Sequence, residues 1–408
     1  MRPAIDGARL VRDLEELARI GATPDGGVNR LAYSPEDLTG RAWVDARLAE
    51  LGLSVRTDAA RNTTAVYPGT VPGLAPIALG SHTDTVPNGG RYDGALGVLA
   101  AVACVRALRA AEVRLRHPVE LINFMAEEAT VGGGTLGSWV MAGLFEPGLL
   151  DQPAWDGRPV HEHLRAAGVD PDALASVARE PGSLAAYVEL HIEQGGVLAA
   201  SGESIGAVEG IVGIRRYTAV FDGRANHAGT TPMAERRDAL VMAAPFVHAV
   251  RDSATAAGIV GTVGAVRVSP GAPNVIPGRV ELAVEIRGLE PATLDRVEST
   301  LGERAAGLGG RLERPSRAAP KPPVVSDPVV LEAVVAACER LGLPYRRMPS
   351  GAGHDAMCMA AITRQGMVFV PSRGGISHAP DEYTAPEQCV DGARVLLETL
   401  LELDDRLD

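Results

Sequence analysis

The chain has 408 residues, which at about 150 residues per domain corresponds to two or three domains and excludes a small disulfide-held module. Hydrophobic residues make up 46% and charged residues 22% of it, values typical of a globular protein, and 47 glycines with 29 prolines favour a compact, loop-rich α/β enzyme. The net charge of −12 disfavours nucleic acid and anionic membranes as partners.

The cysteines and the hydropathy of the sequence indicate the cellular compartment of the protein. The four cysteines form no C-x-x-C pair and lie mostly among apolar residues, which is typical of reduced thiols. The N-terminus reaches Asp6 before an apolar stretch develops, and the uncharged stretches are too short to cross a bilayer. We therefore predict a cytoplasmic protein without a membrane span.

The first half of the chain alternates helical and strand patterns. Helices are predicted at 6–20 and at 34–51, the second with Ser34 as N-cap, Pro35 at its first position and Gly52 after its end. Short apolar runs then predict four buried strands, separated by helices. The strands are 77–79, 119–124, 185–190 and 367–370, and the main helices are 95–111 and 328–341. This alternation predicts an α/β fold, with a largely parallel sheet and helices on both of its faces.

The pattern changes between residues 211 and 316. It becomes strand, helix, two strands, helix and strand, which is the ferredoxin-like βαββαβ order. These elements are 211–221, 234–257, 260–268, 280–286, 291–306 and 310–314. A proline-rich stretch, 315–323, leads back to the first pattern. We therefore predict a discontinuous domain of residues 1–210 and 325–408, with a small domain of residues 211–324 inserted into it.

Several histidines and acidic residues follow the ends of the predicted buried strands. Each of them alone has an ordinary explanation as a loop histidine, a helix cap or a solvated turn. The carboxyl ends of parallel strands meet at one edge of a sheet, however, so these residues should lie together. They are His82, Asp93, Glu127, Glu128, His191 and His378. Carboxylates that cluster in this way repel one another, which favours a bound cation.

Two divalent ions account for five of these residues. If Asp93 bridges the two ions, the trio His82, Asp93 and His191 holds one ion. The trio Asp93, Glu128 and His378 then holds the other. Each ion retains an open position for water, as in hydrolytic two-metal sites. Zn, Mn, Co and Ni all suit imidazole and carboxylate ligands.

Two further acidic residues have predicted roles beside the metals. Asp84 would accept the second ring N–H of His82 and fix its tautomer, the alternative being a cap at the end of the strand. Glu127, which is left without a metal, is predicted to move the proton of the attacking water to the leaving nitrogen.

Seven segments of the sequence resemble motifs of one group of known enzymes, and they occur in the same order as in that group. They are G-S-H-T-D-T-V-P-N-G-G-R-Y-D-G (80–94), E-E (127–128), E-L-H-I-E-Q-G (189–195), R-A-N-H-A-G-T-T-P-M (224–233), P-N-V-I-P-G (273–278), S-G-A-G-H-D-A (350–356) and S-H-A-P-D-E (377–382). The chain resembles the dinuclear-metal aminoacylase and carboxypeptidase superfamily. Within it, the chain is most similar to the carbamoyl-amidohydrolase branch of N-carbamoyl-L-amino-acid hydrolases, allantoate amidohydrolases and β-ureidopropionases.

The resemblance implies the same ligands and general base, and it adds substrate contacts from the inserted domain. It implies that Arg287 clamps the substrate carboxylate, with Asn274 as its companion. It implies that His227 polarises the ureido carbonyl from the neighbouring subunit of a homodimer formed through the inserted lid domain. Gln194 and His354 are further candidates for contacts with the substrate. Without the resemblance, Arg287 would be an ordinary arginine at a strand end.

The segment after the paired glutamates departs from the branch pattern. The branch continues with Gly-x-Arg-Phe, whereas here Ala129, Thr130 and Val131 are followed by three glycines, 132–134. This departure leaves the substrate open but not the reaction type. The resemblance implies hydrolysis of the ureido C–N bond of a small N-carbamoyl carboxylate to amine, CO2 and ammonia. The alternatives are an aminoacylase or dipeptidase, or a metal-free binding protein, which would require a lost ligand.

Overall fold

The computed structural model describes residues 2–314 and 322–408, and the first two of its helices begin where side chains cap them. Asp6 caps the first helix and Ser34 the second, where its hydroxyl accepts a hydrogen bond from the amide of Asp37. The helices are α1 Gly7–Ala18, α2 Pro35–Glu50, α3 Ala95–Ala110, α4 Leu136–Met141, α5 Val160–Ala166, α6 Val197–Ser201, α7 Ala239–Ala257, α8 Pro291–Gly307, α9 Pro328–Leu341, α10 Asp355–Met359 and α11 Pro386–Arg406.

The strands form two sheets in a mixed α/β fold. They are β1 Val55–Thr57, β2 Thr63–Tyr67, β3 Ile77–His82, β4 Val119–Phe124, β5 Ala186–Ile192, β6 Ile205–Ile211, β7 Gly213–Asp222, β8 Val260–Ser269, β9 Arg279–Gly288, β10 Gly310–Glu313, β11 Val324–Val325, β12 Tyr345–Ser350 and β13 Gln365–Val370. The chain divides into two compact units, Met1–Gly210 with Ser326–Asp408, and Ile211–Val325.

The large sheet is parallel only at its centre. Its order is β1-β2-β4-β3-β5-β13-β6, and β12 also pairs with β6. The four strands β4, β3, β5 and β13 are mutually parallel, whereas β1, β2 and β6 join antiparallel. The prediction of a largely parallel sheet therefore applies to these four strands and not to the flanks. Strands β1 and β2 are joined by a short turn, which permits only antiparallel pairing, and neither carries a long apolar run.

Helices cover both faces of this sheet, as the alternating side chains of β5 show. Val188 and Leu190 belong to the apolar core that includes residues of α3, α9 and α11. On the opposite face, the carboxylate of Glu189 accepts a hydrogen bond from the amide of Ala356 in α10. The second face therefore carries polar groups beneath the strand ends.

The smaller unit contains a four-stranded antiparallel sheet in the order β10-β7-β9-β8. Its elements follow the βαββαβ order, but two of them begin more than one residue after the predicted start. Helix α7 begins at Ala239 instead of residue 234, because Asp238 caps it after a short 3-10 turn at Met233–Glu235. Strand β7 begins at Gly213, since Ile211 still belongs to β6.

Most of the predicted proline-rich return, residues 315–321, lies outside the described residues. Within the described ranges, no helix combines the length and the apolar character needed to cross a membrane.

Candidate active site

The four parallel strands end at one edge of the large sheet, and the candidate residues follow those ends. His82 is the last residue of β3, and His191 is the penultimate residue of β5. Glu127 and Glu128 follow β4, and His378 lies in the loop after β13. Asp93 lies in the loop between β3 and α3, at the same edge. Sequence positions that are far apart are thus collected by the parallel topology.

Asp93 stands between two groups of potential metal ligands. Its Oδ1 lies 3.5 Å from Nε2 of His82 and 3.2 Å from Nε2 of His191. Its Oδ2 lies 3.4 Å from Nε2 of His378, which is also 3.4 Å from Oε1 of Glu128. In each trio, the ligand atoms all lie within 4.8 Å of one another. The structure thus brings together two trios that share one carboxylate, each oxygen of which faces a different trio.

The two buried histidines of the first trio present the same ring nitrogen to Asp93. Nδ1 of His82 lies 3.0 Å from the main-chain oxygen of Asp84, and Nδ1 of His191 lies 2.9 Å from that of Ile192. A carbonyl oxygen only accepts, so each Nδ1 carries the proton. In the neutral ring, Nε2 then carries the lone pair, which is the form that binds a metal, and in both histidines this nitrogen faces the shared carboxylate.

The contact between His82 and Asp84 differs from the sequence prediction. The ring N–H reaches the main-chain carbonyl of Asp84, while the carboxylate lies 3.6 Å from Nδ1. That carboxylate instead accepts hydrogen bonds from the amides of Glu127 and Glu128, at 3.2 and 3.0 Å. Asp84 therefore sets the tautomer through its backbone and fixes the paired glutamates through its side chain. The spacing His-x-Asp could not distinguish these two arrangements.

Glu127 lies beside both trios and belongs to neither. It is 9% exposed, and its Oε2 lies 3.6 Å from Nε2 of His82. Burial raises the pKa of Glu127 well above its usual range, and the carboxylates of Asp355 and Glu128 add to the rise against the effect of His82. Environments of this kind are characteristic of carboxyl groups that exchange protons.

The charge distribution of this edge fits divalent cations. Burial raises the pKa of Glu128 well above its usual range, and the neighbouring Asp93 adds to the rise. Burial alone would raise the pKa of Asp93, but His191, His378 and His82 hold it well below its usual range. Carboxylates this crowded are costly to keep charged unless a cation lies among them. Imidazole nitrogens and carboxylate oxygens are the donors that such cations bind.

Comparison with known proteins identifies the family. Residues 78–402 match peptidase family M20/M25/M40. The chain belongs to this family. It is 40% identical to an N-carbamoyl-L-amino acid amidohydrolase of Geobacillus stearothermophilus, over 98% of this chain and 99% of the relative. It is 34% identical to an allantoate amidohydrolase of Bacillus subtilis, over 96% of both chains. A crystal structure of a hydantoinase/carbamoylase-family amidase from Burkholderia multivorans has a TM-score of 0.89 and 37% identity, covering 98% of both chains.

One acidic residue that joins two loops of this M20 site was not singled out in the sequence. Buried Glu382 accepts hydrogen bonds from the amides of Tyr92 and Asp93, at 2.9 and 3.1 Å, and from the hydroxyl of Ser377 at 2.9 Å. It thereby holds the loop of Asp93 against the loop of His378. The signal was present, because Glu382 ends the motif S-H-A-P-D-E that carries His378.

The two further contact candidates of the large unit lie in different environments. Nε2 of Gln194 donates to Oδ2 of Asp93 at 2.7 Å, and its Oε1 is buried without a hydrogen-bond partner among the described residues. His354, in contrast, is 2% exposed and packs edge-on against His191, with ring centroids 4.5 Å apart. Its Nε2 lies 2.9 Å from the hydroxyl of Ser350. His354 therefore lies behind a candidate ligand, whereas the side-chain amide of Gln194 lies directly against Asp93 and within 3.4 Å of Nε2 of His378.

The inserted unit carries its three candidates at two ends of one sheet. The main-chain oxygen of Asn274 accepts a hydrogen bond from the amide of Ala228, so Asn274 lies beside His227. Both loops adjoin the end of the sheet where Asp222 pairs with Arg279. Arg287 is eight residues further along β9, roughly 26 Å away at about 3.3 Å per residue. Asn274 is thus the neighbour of His227 and not, within one chain, the companion of Arg287 that we expected.

The glycine-rich segment after the paired glutamates folds back onto them. Gly132, Gly133 and Gly134 all have left-handed φ angles, of 78°, 81° and 92°. The amide of Thr135 then donates to the main-chain oxygen of Glu127 at 2.6 Å. A Cβ at Gly134 would lie 2.9 Å from that same oxygen. The departure from the branch pattern therefore replaces side chains by a close backbone contact with the proposed base.

Proposed function

We propose that this chain is a metal-dependent amidohydrolase that cleaves the ureido C–N bond of a small N-carbamoyl carboxylate. One molecule of substrate and one of water would give the free amine, CO2 and ammonia. The observation that carries this proposal is the division between adjacent glutamates. Glu128 joins Asp93 and His378 in a ligand trio, whereas Glu127 lies next to the trios and outside them. An N-carbamoyl-L-amino acid is the substrate class that we favour, with allantoate and β-ureidopropionate as related candidates.

Two divalent ions fit the residues of the site. His82, Asp93 and His191 would hold one ion, and Asp93, Glu128 and His378 would hold the other. Zn, Mn, Co and Ni are all compatible with this donor set. Such ions, when bound, activate water for attack and polarise a carbonyl.

Glu127 is the proposed proton carrier. Its carboxylate takes a proton from the attacking water and returns it to the nitrogen that leaves the ureido carbon. The pKa of the buried Glu127 carboxyl, raised above its usual range by burial, supports this role, because a more basic carboxylate takes up a proton more readily. The hydrogen bonds from the amides of Glu127 and Glu128 to the carboxylate of Asp84 hold the backbone of Glu127 in place during this proton transfer.

His227 is the proposed donor to the ureido oxygen. Its Nδ1 accepts hydrogen bonds from the amides of Gly229 and Thr230, at 3.0 and 3.2 Å. An accepting Nδ1 leaves the proton on Nε2, so the neutral ring presents an N–H donor. The side chain is exposed, which suits a group that meets the substrate when the site assembles.

Arg287 is the proposed clamp for the substrate carboxylate. Its Nε donates to Oε1 of Glu285 at 2.7 Å, a contact that fixes the plane of the guanidinium. A planar guanidinium matches a carboxylate with two parallel hydrogen bonds. Arg287 and His227 lie at opposite ends of one small sheet, so we propose that they serve two different sites in a homodimer.

Strand β8 supports a dimer through the inserted unit. It is the edge of the small sheet, and Val260 and Val266 are 63% and 52% exposed. An exposed apolar edge strand is a ready pairing surface for a second copy. Two β8 strands paired antiparallel about a two-fold axis would bring the residue 260 end of one copy beside the residue 269 end of the other. Arg287, which pairs with Val260, would then approach the partner's loop that carries the second Asn274 and His227.

Product assays on metal-loaded protein test the proposal. After loading with Mn, Co, Ni or Zn, we expect ammonia and free amine from N-carbamoyl-L-amino acids, allantoate or β-ureidopropionate, and no turnover after chelation. N-acetyl amino acids and dipeptides serve as the matched substrates with an ordinary amide. Turnover of only these ordinary amides would make the chain an aminoacylase or dipeptidase. Full ureido hydrolysis by protein shown to be metal-free by elemental analysis would contradict the metal-dependent mechanism.

A further inference from the structure

Two arginines lie buried beneath the candidate site, and the mechanism does not use them. Arg30 is 0% and Arg41 is 3% exposed, which is unusual for a side chain that always carries a positive charge. Both lie in the large unit, Arg30 before α2 and Arg41 within it. Each of them binds at least one main-chain oxygen at the end of a strand that carries the site.

Arg41 binds the end of β4. Its Nη1 donates to the main-chain oxygen of Asn123 at 3.2 Å, and its Nη2 donates to that of Phe124. Its Nε donates to Oδ1 of Asp37 at 3.0 Å, one helical turn earlier in α2. Asp37 is itself held by the amide of Tyr33 at 2.9 Å. The guanidinium is thus fixed by the buried carboxylate of Asp37 through Nε, and it donates hydrogen bonds to the end of β4 through its two other nitrogens.

The segment gripped by Arg41 leads directly to the paired glutamates. Only Met125 and Ala126 separate Phe124 from Glu127, and Ala126 has a left-handed φ of 55°. A left-handed alanine is strained, so it persists only where the surrounding bonds fix it. Before the turn, Arg41 donates hydrogen bonds to the main-chain oxygens of β4. After the turn, the amides of Glu127 and Glu128 donate hydrogen bonds to the carboxylate of Asp84. The turn that directs the two carboxylates is therefore held from both sides.

Arg30 makes the corresponding contact at the end of β3. Its Nε donates to the main-chain oxygen of Thr83 at 2.5 Å, between His82 and Asp84. Its Nη1 donates to the main-chain oxygens of Leu17 and Ile20 at 3.1 and 3.0 Å. The lack of a side chain at Gly40 in α2 makes room for it, because a Cβ there would lie 2.7 Å from Cδ of Arg30.

Burying these cations is costly, and stability alone does not account for them. Taking a guanidinium out of water costs several kcal/mol, and a buried ion pair can often be replaced by apolar residues without loss of stability. Both guanidinium groups nevertheless bind main-chain oxygens at two adjacent strand ends, which points to positioning instead. We propose that Arg41, with Arg30 beside it, is a positioning residue that sets the directions of Glu127 and Glu128 through the backbone of β4. The inference rests on the roles proposed for these two glutamates.

Conservative variants of Arg41 test this proposal. Arg41→Lys keeps a cation but cannot reach Asp37 and two carbonyls together, and Asp37→Asn removes the fixed partner while keeping the arginine. Arg47→Lys is the matched control, since Arg47 also lies in α2 and pairs with Glu16 and Glu50 away from the strand ends. All variants are first compared with the parent by circular dichroism and by melting temperature.

Metal affinity is the readout that needs no substrate. Substitution of a residue that orients metal ligands without touching the metal typically lowers metal affinity by about 10- to 100-fold. We therefore expect the affinity for Mn or Zn, measured by calorimetry, to fall by about tenfold in Arg41→Lys. We expect a smaller fall in Asp37→Asn and none in Arg47→Lys. Unchanged affinity in a folded Arg41→Lys variant, or an equal fall in Arg47→Lys, would overturn the inference. If the parent binds metal but hydrolyses no ureido substrate, the proposed function fails and this measurement still decides the positioning role.

Kinetics then separate positioning from a general structural effect. On a ureido substrate, we expect Arg41→Lys to lower kcat about tenfold and to leave KM within about twofold, because the base and not the substrate is displaced. In a Glu127→Gln background, with metal kept at saturating concentration so that Glu128 is not limiting, the same substitution should change the residual kcat by less than about twofold, since the proton carrier that it positions has been removed. Fully additive losses in the double variant would show that Arg41 does not act through Glu127.

Discussion

In the large unit, five candidate ligands lie at or after the ends of parallel strands that meet at one edge, whereas the inserted unit carries three candidates at opposite ends of an antiparallel sheet. The first arrangement is complete within one chain. All its residues except His378 are buried, and their backbones are tied by groups such as Asp84 and Glu382. In the second arrangement, His227 and Asn274 are exposed and Arg287 is half-buried, and the three residues are divided between the two ends of the sheet. If the proposed roles are right, the metal ligands form a site within one unit before substrate binds, whereas the proposed substrate contacts of the inserted unit require groups from two different places.

The largest expected effects come from substitution of the paired glutamates in the large unit. Glu127→Gln should lower kcat by about 100-fold or more and leave the metal content unchanged, because it removes only the proton carrier. Glu128→Gln should lose metal, because it removes a ligand. Elemental analysis and steady-state kinetics on both variants provide the measurement, and each variant is the control for the other. The reverse pattern would exchange the roles of the two residues.

A smaller effect is expected at the divided region, in Arg287→Lys. Lysine cannot form two parallel bonds with a carboxylate, so kcat/KM for a carboxylate substrate should fall by about tenfold or more. An amidated analogue, which has no carboxylate to clamp, should be cleaved equally by the parent and the variant. Equal losses on both substrates would show that Arg287 only supports the lid, through its bond to Glu285.

The smallest effect separates two neighbouring glycines of the loop beside the base. Both have left-handed φ angles, so alanine at either costs roughly 1 kcal/mol of backbone strain. Only at Gly134 would the added Cβ meet the main-chain oxygen of Glu127, while nothing lies within 4 Å of a Cβ at Gly133. We expect Gly134→Ala to lower kcat several-fold more than Gly133→Ala. Equal kcat values would mean that the loop does not position Glu127.

The central strands and the trios were accessible from the sequence for one physical reason. Buried parallel strands are continuous apolar runs, as Val119–Phe124 is, and their ends converge whatever the intervening loops do. The family resemblance then supplied the lid residues. The flanking strand β1 was missed because it has only three residues, of which two are exposed, and such a strand leaves no apolar run to detect.

Other features of the site depended on contacts that spacing does not encode. The sequence could not show whether Asp84 meets His82 through its carboxylate or through its backbone, because both lie two residues away. It could not show that Asn274 lies beside His227, since the two are 47 positions apart and meet only through the pairing of loops. Arg41 looked like an ordinary helix residue, since its acceptors are backbone atoms with no sequence signature.

Subunit complementation tests most directly whether one active site draws on two chains. His227→Ala and Glu127→Gln homodimers should each be nearly inactive. In a mixed dimer, the His227→Ala subunit keeps its own Glu127 and receives His227 from its partner, so one of two sites is whole. Random mixing of equal amounts makes about half of the dimers mixed, so about a quarter of parent activity should return. No recovery, after native mass spectrometry has confirmed subunit exchange, would show that His227 does not act across the dimer.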